Sequence, residues 1–295
     1  MRKIVITTTL AAAALAACAQ MPKPSRQFTA DPSGVSLVWS EEFEGDSLDR
    51  SVWNVEINGS GCGNNELEHY VDSPENVSLS GGNLVITARR REFGNHAFTS
   101  GRLNTLGKFD FTYGIVECSV KLPSTADGLW PAIWFMGSDI DDNGWPLCGE
   151  TDLLEMGHAD GIAAGKQSRL FNGALHYGTG EHVQQVGVGS SPVSLQDGRY
   201  HRFYLVWTPE AINMYVDEVE APYLSVDISD RDNPASPGYY FHKPNFILLN
   251  LAVGGDFTGI HDPAAVTALD PEDEASMYVD YIRIYLPNNQ LITEK

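Results

Sequence analysis

The segment Cys148-Gly149-Glu150-Thr151-Asp152-Leu153-Leu154-Glu155-Met156 places three carboxylates in an apolar, strand-like frame. Side chains alternate along a strand, so Glu150 and Asp152 share a face. Glu155 is an odd number of positions away and would fall on the opposite face. One extra residue around Leu153-Leu154, a β-bulge, returns it to the same side. Like charges within reach of one another disfavour full ionisation. Such a cluster serves a metal or acid–base chemistry, and the flanking Leu153, Leu154 and Met156 argue against a solvated acidic edge. Calcium loops draw on Asn, Gly turns and backbone carbonyls that a strand does not supply. Acid–base chemistry is therefore the leading expectation. Glycoside hydrolysis needs one ionised carboxyl and one that holds a proton. The spacing casts Glu150 as nucleophile and Glu155 as general acid/base. Asp152 lies between them, raising the acid's pKa and orienting the nucleophile. Attack by Glu150 retains configuration, with the two Glu carboxyls expected about 5–5.5 Å apart.

A frame of strands must hold these groups. Leu37–Phe43, Asn83–Ala88, Tyr113–Leu122, His201–Trp207, Ala211–Asp217, Asn245–Leu251 and Met277–Tyr285 all read as strands. Thr208-Pro209-Glu210 marks a hairpin between two of them. No window carries a long apolar stripe at helical period. The expectation is a single all-β domain over residues 35–288, a sandwich whose curved sheet forms a concave cleft. Trp130, Trp134, Trp145 and Trp207 are the aromatics placed to line it. Trp130 and Trp134 share strand parity in Trp130-Pro131-Ala132-Ile133-Trp134, and flat indole faces suit the C–H faces of sugar rings.

The chain has 295 residues, with 19 Lys+Arg against 39 Asp+Glu and a formal charge of −20. That balance argues against a nucleic-acid partner, which needs Lys and Arg to neutralise phosphates. It also argues against an anionic membrane surface. Residues 1–17 read as a signal peptide: Arg2 and Lys3 precede a short apolar stretch that ends in Leu15-Ala16-Ala17. Residues 18–34 contain Pro22, Pro24, Pro32 and Gly34 and read as an extended tether. Residues 289–295 form a tail. Beyond Cys18 the cysteines are Cys62, Cys118 and Cys148. Cys118, within a strand, is expected as a buried small hydrophobe. Whether Cys62 and Cys148 pair is left open.

Gly149-Glu150-Thr151-Asp152-Leu153-Leu154-Glu155 resembles the bulged Glu-x-Asp-x-x-Glu signature of glycoside hydrolase family 16. The resemblance runs over residues 35–287. It includes Gly63-Asn64-Asn65-Glu66-Leu67-Glu68, Ser100-Gly101-Arg102, Gly128–Trp134, Leu249–Gly255 and Val279–Tyr285. It implies a β-jelly-roll sandwich, concanavalin A-like, and looks most like the bacterial laminarinases. The implied activity is endo-acting, retaining hydrolysis of a neutral β-1,3-glucan, with no cofactor in catalysis. Mixed-linkage β-glucan or agarose hydrolysis and a non-catalytic glucan-binding lipoprotein are the alternatives. By resemblance Asn64, Asn65, Arg102, Trp130, Trp134, Trp145, His176 and Trp207 line glucose subsites. His176 reads equally as a satisfied core histidine. The family's structural calcium would sit near Glu42, Gly82 and Asp280. Cys18 resembles a lipobox cysteine, which implies lipidation and an exported outer-membrane or cell-surface lipoprotein. Contact with the membrane would come only through that lipid. A monomer is expected. Thr151, where an aliphatic residue is usual, and the acidic loop Asp139–Gly144 depart from the family pattern.

Overall fold

The computed structural model describes residues 34–288 except residue 271. The expected signal peptide, the lipidated Cys18, all of the tether before Gly34 and the tail lie outside the described residues.

Two antiparallel-dominated sheets pack face to face. The seven-stranded sheet runs, in spatial order, Val183–Ser190, Leu170–Tyr177, Glu150–Met156, Leu129–Gly137, Asn245–Val253, Arg102–Asn104 and Asn54–Val55. Every neighbouring pair in it is antiparallel. The ten-stranded sheet is centred on Gly114–Lys121, Glu274–Pro287 and His201–Trp207. The hairpin expected at Thr208-Pro209-Glu210 joins His201–Trp207 to Ala211–Val216.

Side-chain alternation decides which sheet face is core. Ile133 and Phe135 alternate with Ala132, Trp134 and Met136 along one strand. The first pair joins the main core with Val116, Cys118 and Val120 of the opposite sheet. Ala132, Trp134 and Met136 form a separate small cluster with Cys148, Phe246 and Leu248. The seven-stranded sheet therefore has one face in the sandwich and one face turned away from it. Cys118 is fully buried, and Cys62, Cys118 and Cys148 are all free thiols.

The bulge in Glu150–Met156 follows from burial. Leu153 and Leu154 are both fully buried in the main core. A regular strand would turn Leu154 outward and drive Glu155 into that core. Placing an ionised carboxyl in an apolar core is far costlier than bending a strand. Leu153 pairs with neither neighbouring strand, and the register shifts beside it on both sides. Its carbonyl accepts instead from the Tyr223 hydroxyl. Gly173 on the adjoining strand makes room for this: a Cβ there would lie 2.6 Å from the Tyr223 ring and 3.2 Å from the Asp152 carbonyl oxygen.

Candidate active site

A cleft of about 880 Å³ lies on the outward face of the seven-stranded sheet. Glu150, Asp152 and Glu155 all line it. Each faces a defined neighbour. Glu150 pairs across to His176 and Met136, Asp152 to Ala174 and Trp134, and Glu155 to Asn172 and Ala132. The small Ala174 and Ala132 beside the carboxyls leave space for a ligand.

Two indoles address the outer carboxyls. Trp145 Nε1 donates to Glu150 Oε2 at 2.8 Å, and Trp130 Nε1 donates to Glu155 Oε1 at 3.1 Å. His176 Nε2 lies 3.1 Å from Asp152 Oδ2. Burial pushes the Glu150 carboxyl up to about 8, with Asp152 adding to the shift and His176 and Trp145 opposing it. Burial raises Asp152 as well, and oxygens of the two carboxyls lie within 4.8 Å of each other. Carboxyls this close disfavour each other's ionisation and titrate as a pair. Burial, reinforced by Asp152, holds Glu155 well above the usual carboxyl range. That direction favours the protonated form a general acid needs.

One side of the cleft is a polar-aromatic wall. The Arg102 guanidinium lies 4.8 Å from the Trp134 ring centroid, and Trp134 Nε1 donates to Asn250 Oδ1 at 2.8 Å. Asn250 Nδ2 reaches the Tyr70 hydroxyl, which donates to Glu66 at 2.8 Å. Asn64 Nδ2 lies 3.4 Å from the same Glu66 carboxylate. Arg102 is paired with Glu56 at 3.0 Å. On the other side of the catalytic strand, His176, Gln184, Val186 and Val188 extend the floor.

Asn64, Arg102, Trp130, Trp134, Trp145 and His176 thus lie together along the cleft. Two residues named with them do not. Trp207 is a core residue, 3% exposed, with its indole donating to the Phe241 carbonyl and its ring edge-on to Phe111 and Tyr113. It shares parity with Phe203 and Leu205, which also point into the sandwich. Asn65 is exposed outside the cleft and donates to both Asp256 carboxylate oxygens, at 3.1 and 3.0 Å. It holds the loop carrying Phe257, which stacks on Trp130 at 4.5 Å and 11°.

Phe257, Asn250, Glu66 and His182 also line the cleft without having been singled out from the sequence. Asn250 had a usable signal, since it is a polar residue inside an otherwise apolar strand. Phe257 sits in a loop, where no periodicity marks its direction.

Among the described residues, Glu150, Asp152 and His176 are the one trio of side-chain metal-ligand types within 4.8 Å of one another. The residues named for calcium converge through register rather than through such a trio. Val279 pairs with Leu84 and Glu41 with Ile282, which brings Gly82, Glu42 and Asp280 to one end of the ten-stranded sheet. Asp280 falls at a register shift and is 4% exposed. The Glu42 carboxylate is held by Arg283 at 2.8 Å through both oxygens, so a cation at this end would draw on main-chain oxygen rather than on that carboxylate. A hard cation taking main-chain oxygens plus one buried carboxylate fits this arrangement.

Comparison with known proteins gives the site its setting. A family model described as beta-glucan synthesis-associated protein SKN1/KRE6/Sbg1 matches residues 17–145, ending before the catalytic strand. A Beta-glucanase of Rhodothermus marinus is 34% identical, over 84% of this chain and 84% of that protein. A solved Bacteroides ovatus structure, a mixed-linkage-glucan GH16 protein in complex with a G4G4G3G product, is 38% identical. It covers 84% of this chain and 100% of its own, with a TM-score of 0.75. The chain belongs to glycoside hydrolase family 16. It is a β-sandwich glycoside hydrolase, and Glu150, Asp152 and Glu155 lie along the cleft on one sheet face. Glucan endo-1,3-beta-glucosidase A1 of Niallia circulans is 33% identical over 86% of this chain, which spans only 39% of that protein's length.

Proposed function

We propose that this family 16 enzyme cleaves internal β-1,3 linkages of a neutral glucan with retention of configuration. The observation that carries the reading is the bulge at Leu153, which sets Glu150, Asp152 and Glu155 along one cleft. Glu150 attacks the anomeric carbon while Glu155 protonates the departing oxygen. Water then enters, Glu155 takes its proton, and the Glu150 ester is released. Asp152 supports the Glu150 charge between steps. The names of the Rhodothermus and Niallia relatives support a β-glucan substrate. Arg102 is the one Lys or Arg lining the cleft among the described residues, and Glu56 already occupies it. That disfavours sulfated galactans, which call for cationic partners.

A second reading, hydrolysis of mixed-linkage β-glucan, is favoured by the product named in the Bacteroides ovatus complex. A product profile on laminarin, curdlan, lichenan and agarose separates the two. The β-1,3 reading expects release of short oligosaccharides from laminarin at the highest rate. Activity confined to lichenan, or to agarose, overturns it and leaves the family intact.

Calcium at Glu42, Gly82 and Asp280 is proposed as a structural ligand with no part in the chemistry. Saturating calcium should raise the Tm by about 5 °C or more, and a chelator should remove the gain. Asp280→Asn should abolish the response. A Tm indifferent to calcium and chelator alike excludes the site.

A further inference from the structure

His182 lies just beyond the last pair of the Leu170–Tyr177 and Val183–Ser190 ladder, where Tyr177 meets Val183. Its Nε2 is 2.7 Å from His176 Nδ1. The two imidazoles are nearly coplanar, 23° apart with ring centroids at 4.9 Å, and Trp145 closes over His182 at 4.6 Å. His176 Nε2 reaches Asp152 Oδ2, a buried oxygen with no hydrogen-bond partner of good geometry. A carboxyl oxygen of Asp152 lies within 4.8 Å of one of Glu150, which accepts from Trp145. The chain of contacts therefore runs from an exposed histidine to the nucleophile.

We propose that His182 is a positioning residue that keeps the nucleophile deprotonated by fixing the tautomer of His176. Each neutral imidazole carries one N–H. If His182 Nε2–H donates to His176 Nδ1, the His176 proton must sit on Nε2 and point at Asp152 Oδ2. Asp152 can then hold its own proton only on the side of Glu150, so Glu150 accepts. If His182 accepts instead, His176 carries its proton on Nδ1 and faces Asp152 with a lone pair. The Asp152 proton then turns to His176, and Glu150 loses that donor, so only Trp145 still supports its negative charge. The first arrangement leaves Glu150 as the nucleophilic anion, with the Asp152 and Trp145 donors both aimed at it. The second stabilises that anion less and raises the pH at which it forms.

The titratable groups facing the imidazole pair are Glu150, Asp152 and Glu155, all on the neighbouring strand. The Trp145 indole and the cross-strand Gln184 are uncharged. Burial and His176 hold His182 below the usual imidazole value, which suits a neutral donor. Where an outer partner orients a metal-ligating imidazole, its removal typically costs about 10- to 100-fold, and a loss at the lower end of that range is expected here.

Two substitutions at His182 separate ring packing from donation. His182→Phe keeps a ring against Trp145 and His176 but cannot donate. His182→Gln gives up the ring and keeps an N–H donor. The expected result is a kcat about tenfold lower for His182→Phe, with KM little changed. The acid limb of its kcat/KM profile should move up by roughly one pH unit, because Glu150 then holds its proton longer. His182→Gln should recover both. Wild-type kcat and limb in His182→Phe, or equal losses in the two variants, overturn the proposal. The inference rests on Glu150 as nucleophile, so imidazole 15N NMR supplies a readout that does not depend on substrate. His176 should be the Nε2–H tautomer in the wild type and lose that preference in His182→Phe. An Nδ1–H His176 in the wild type refutes the proposal whatever glucan is cleaved.

Discussion

Glu150→Gln is expected to lower kcat on laminarin by about 10⁴-fold or more while KM stays within a few-fold. The amide fills the same volume and still touches Trp145, so ground-state binding is largely kept. What disappears is the carboxylate that forms the glycosyl ester. Trp145 Nε1 at 2.8 Å from Glu150 Oε2 now meets an amide that cannot carry the charge. Truncation to Glu150→Ala leaves room for a small external nucleophile. Azide should then restore turnover and give the α-glycosyl azide, because it attacks once from the face Glu150 occupied. A Glu150→Gln enzyme that cleaves laminarin at the parent rate removes Glu150 from the mechanism.

Glu155→Gln should produce the second-largest effect, and it should depend on the leaving group. Cleavage of the polysaccharide is expected to fall by about 10²- to 10⁴-fold, since a sugar alkoxide departs poorly without a proton. A dinitrophenyl oligoglucoside carries a leaving group that needs no proton, so its first step should slow much less. The pH profile should change in a defined direction. Burial, reinforced by Asp152, raises Glu155. Its proton is present below that raised pKa and lost as pH climbs through it. The wild type should therefore lose kcat/KM on the alkaline side, and Glu155→Gln should lack that limb. Equal losses on both substrates would reassign the acid.

Much of this site was legible because alternation and charge leave a mark in the sequence. Glu150 and Asp152 sit two apart, and Glu155 sits out of phase in an apolar frame. Only a bulge reconciles those facts, and the structure has it at Leu153. Trp130 and Trp134 were legible by the same parity. Trp207 shows the limit of reading aromatics without it. Its parity is that of Phe203 and Leu205, and those neighbours take it into the core. Asn65 carries a polar side chain suited to a sugar, yet its φ of 55° goes with a side chain that bonds Asp256 outside the cleft.

His182 was not legible for a different reason. Val183–Ser190 is rich in Gly and Gln and has little strand signature. Without that strand there is no ladder to carry His182 back over His176. Phe257 likewise depends on a loop held by Asn65 and Asp256, a contact between residues nearly two hundred positions apart. Long-range pairings of this kind come from the packed sheets and leave no local pattern.

The central claim is that Glu150 forms a covalent glycosyl intermediate with Glu155 as acid/base. Proton NMR of the newly formed reducing end, followed from the first minutes of laminarin hydrolysis, tests it most directly. The account predicts that the β-anomer appears first and then mutarotates toward equilibrium. Initial release of the α-anomer would mean single displacement by water, and Glu150 would then be a base and not a nucleophile.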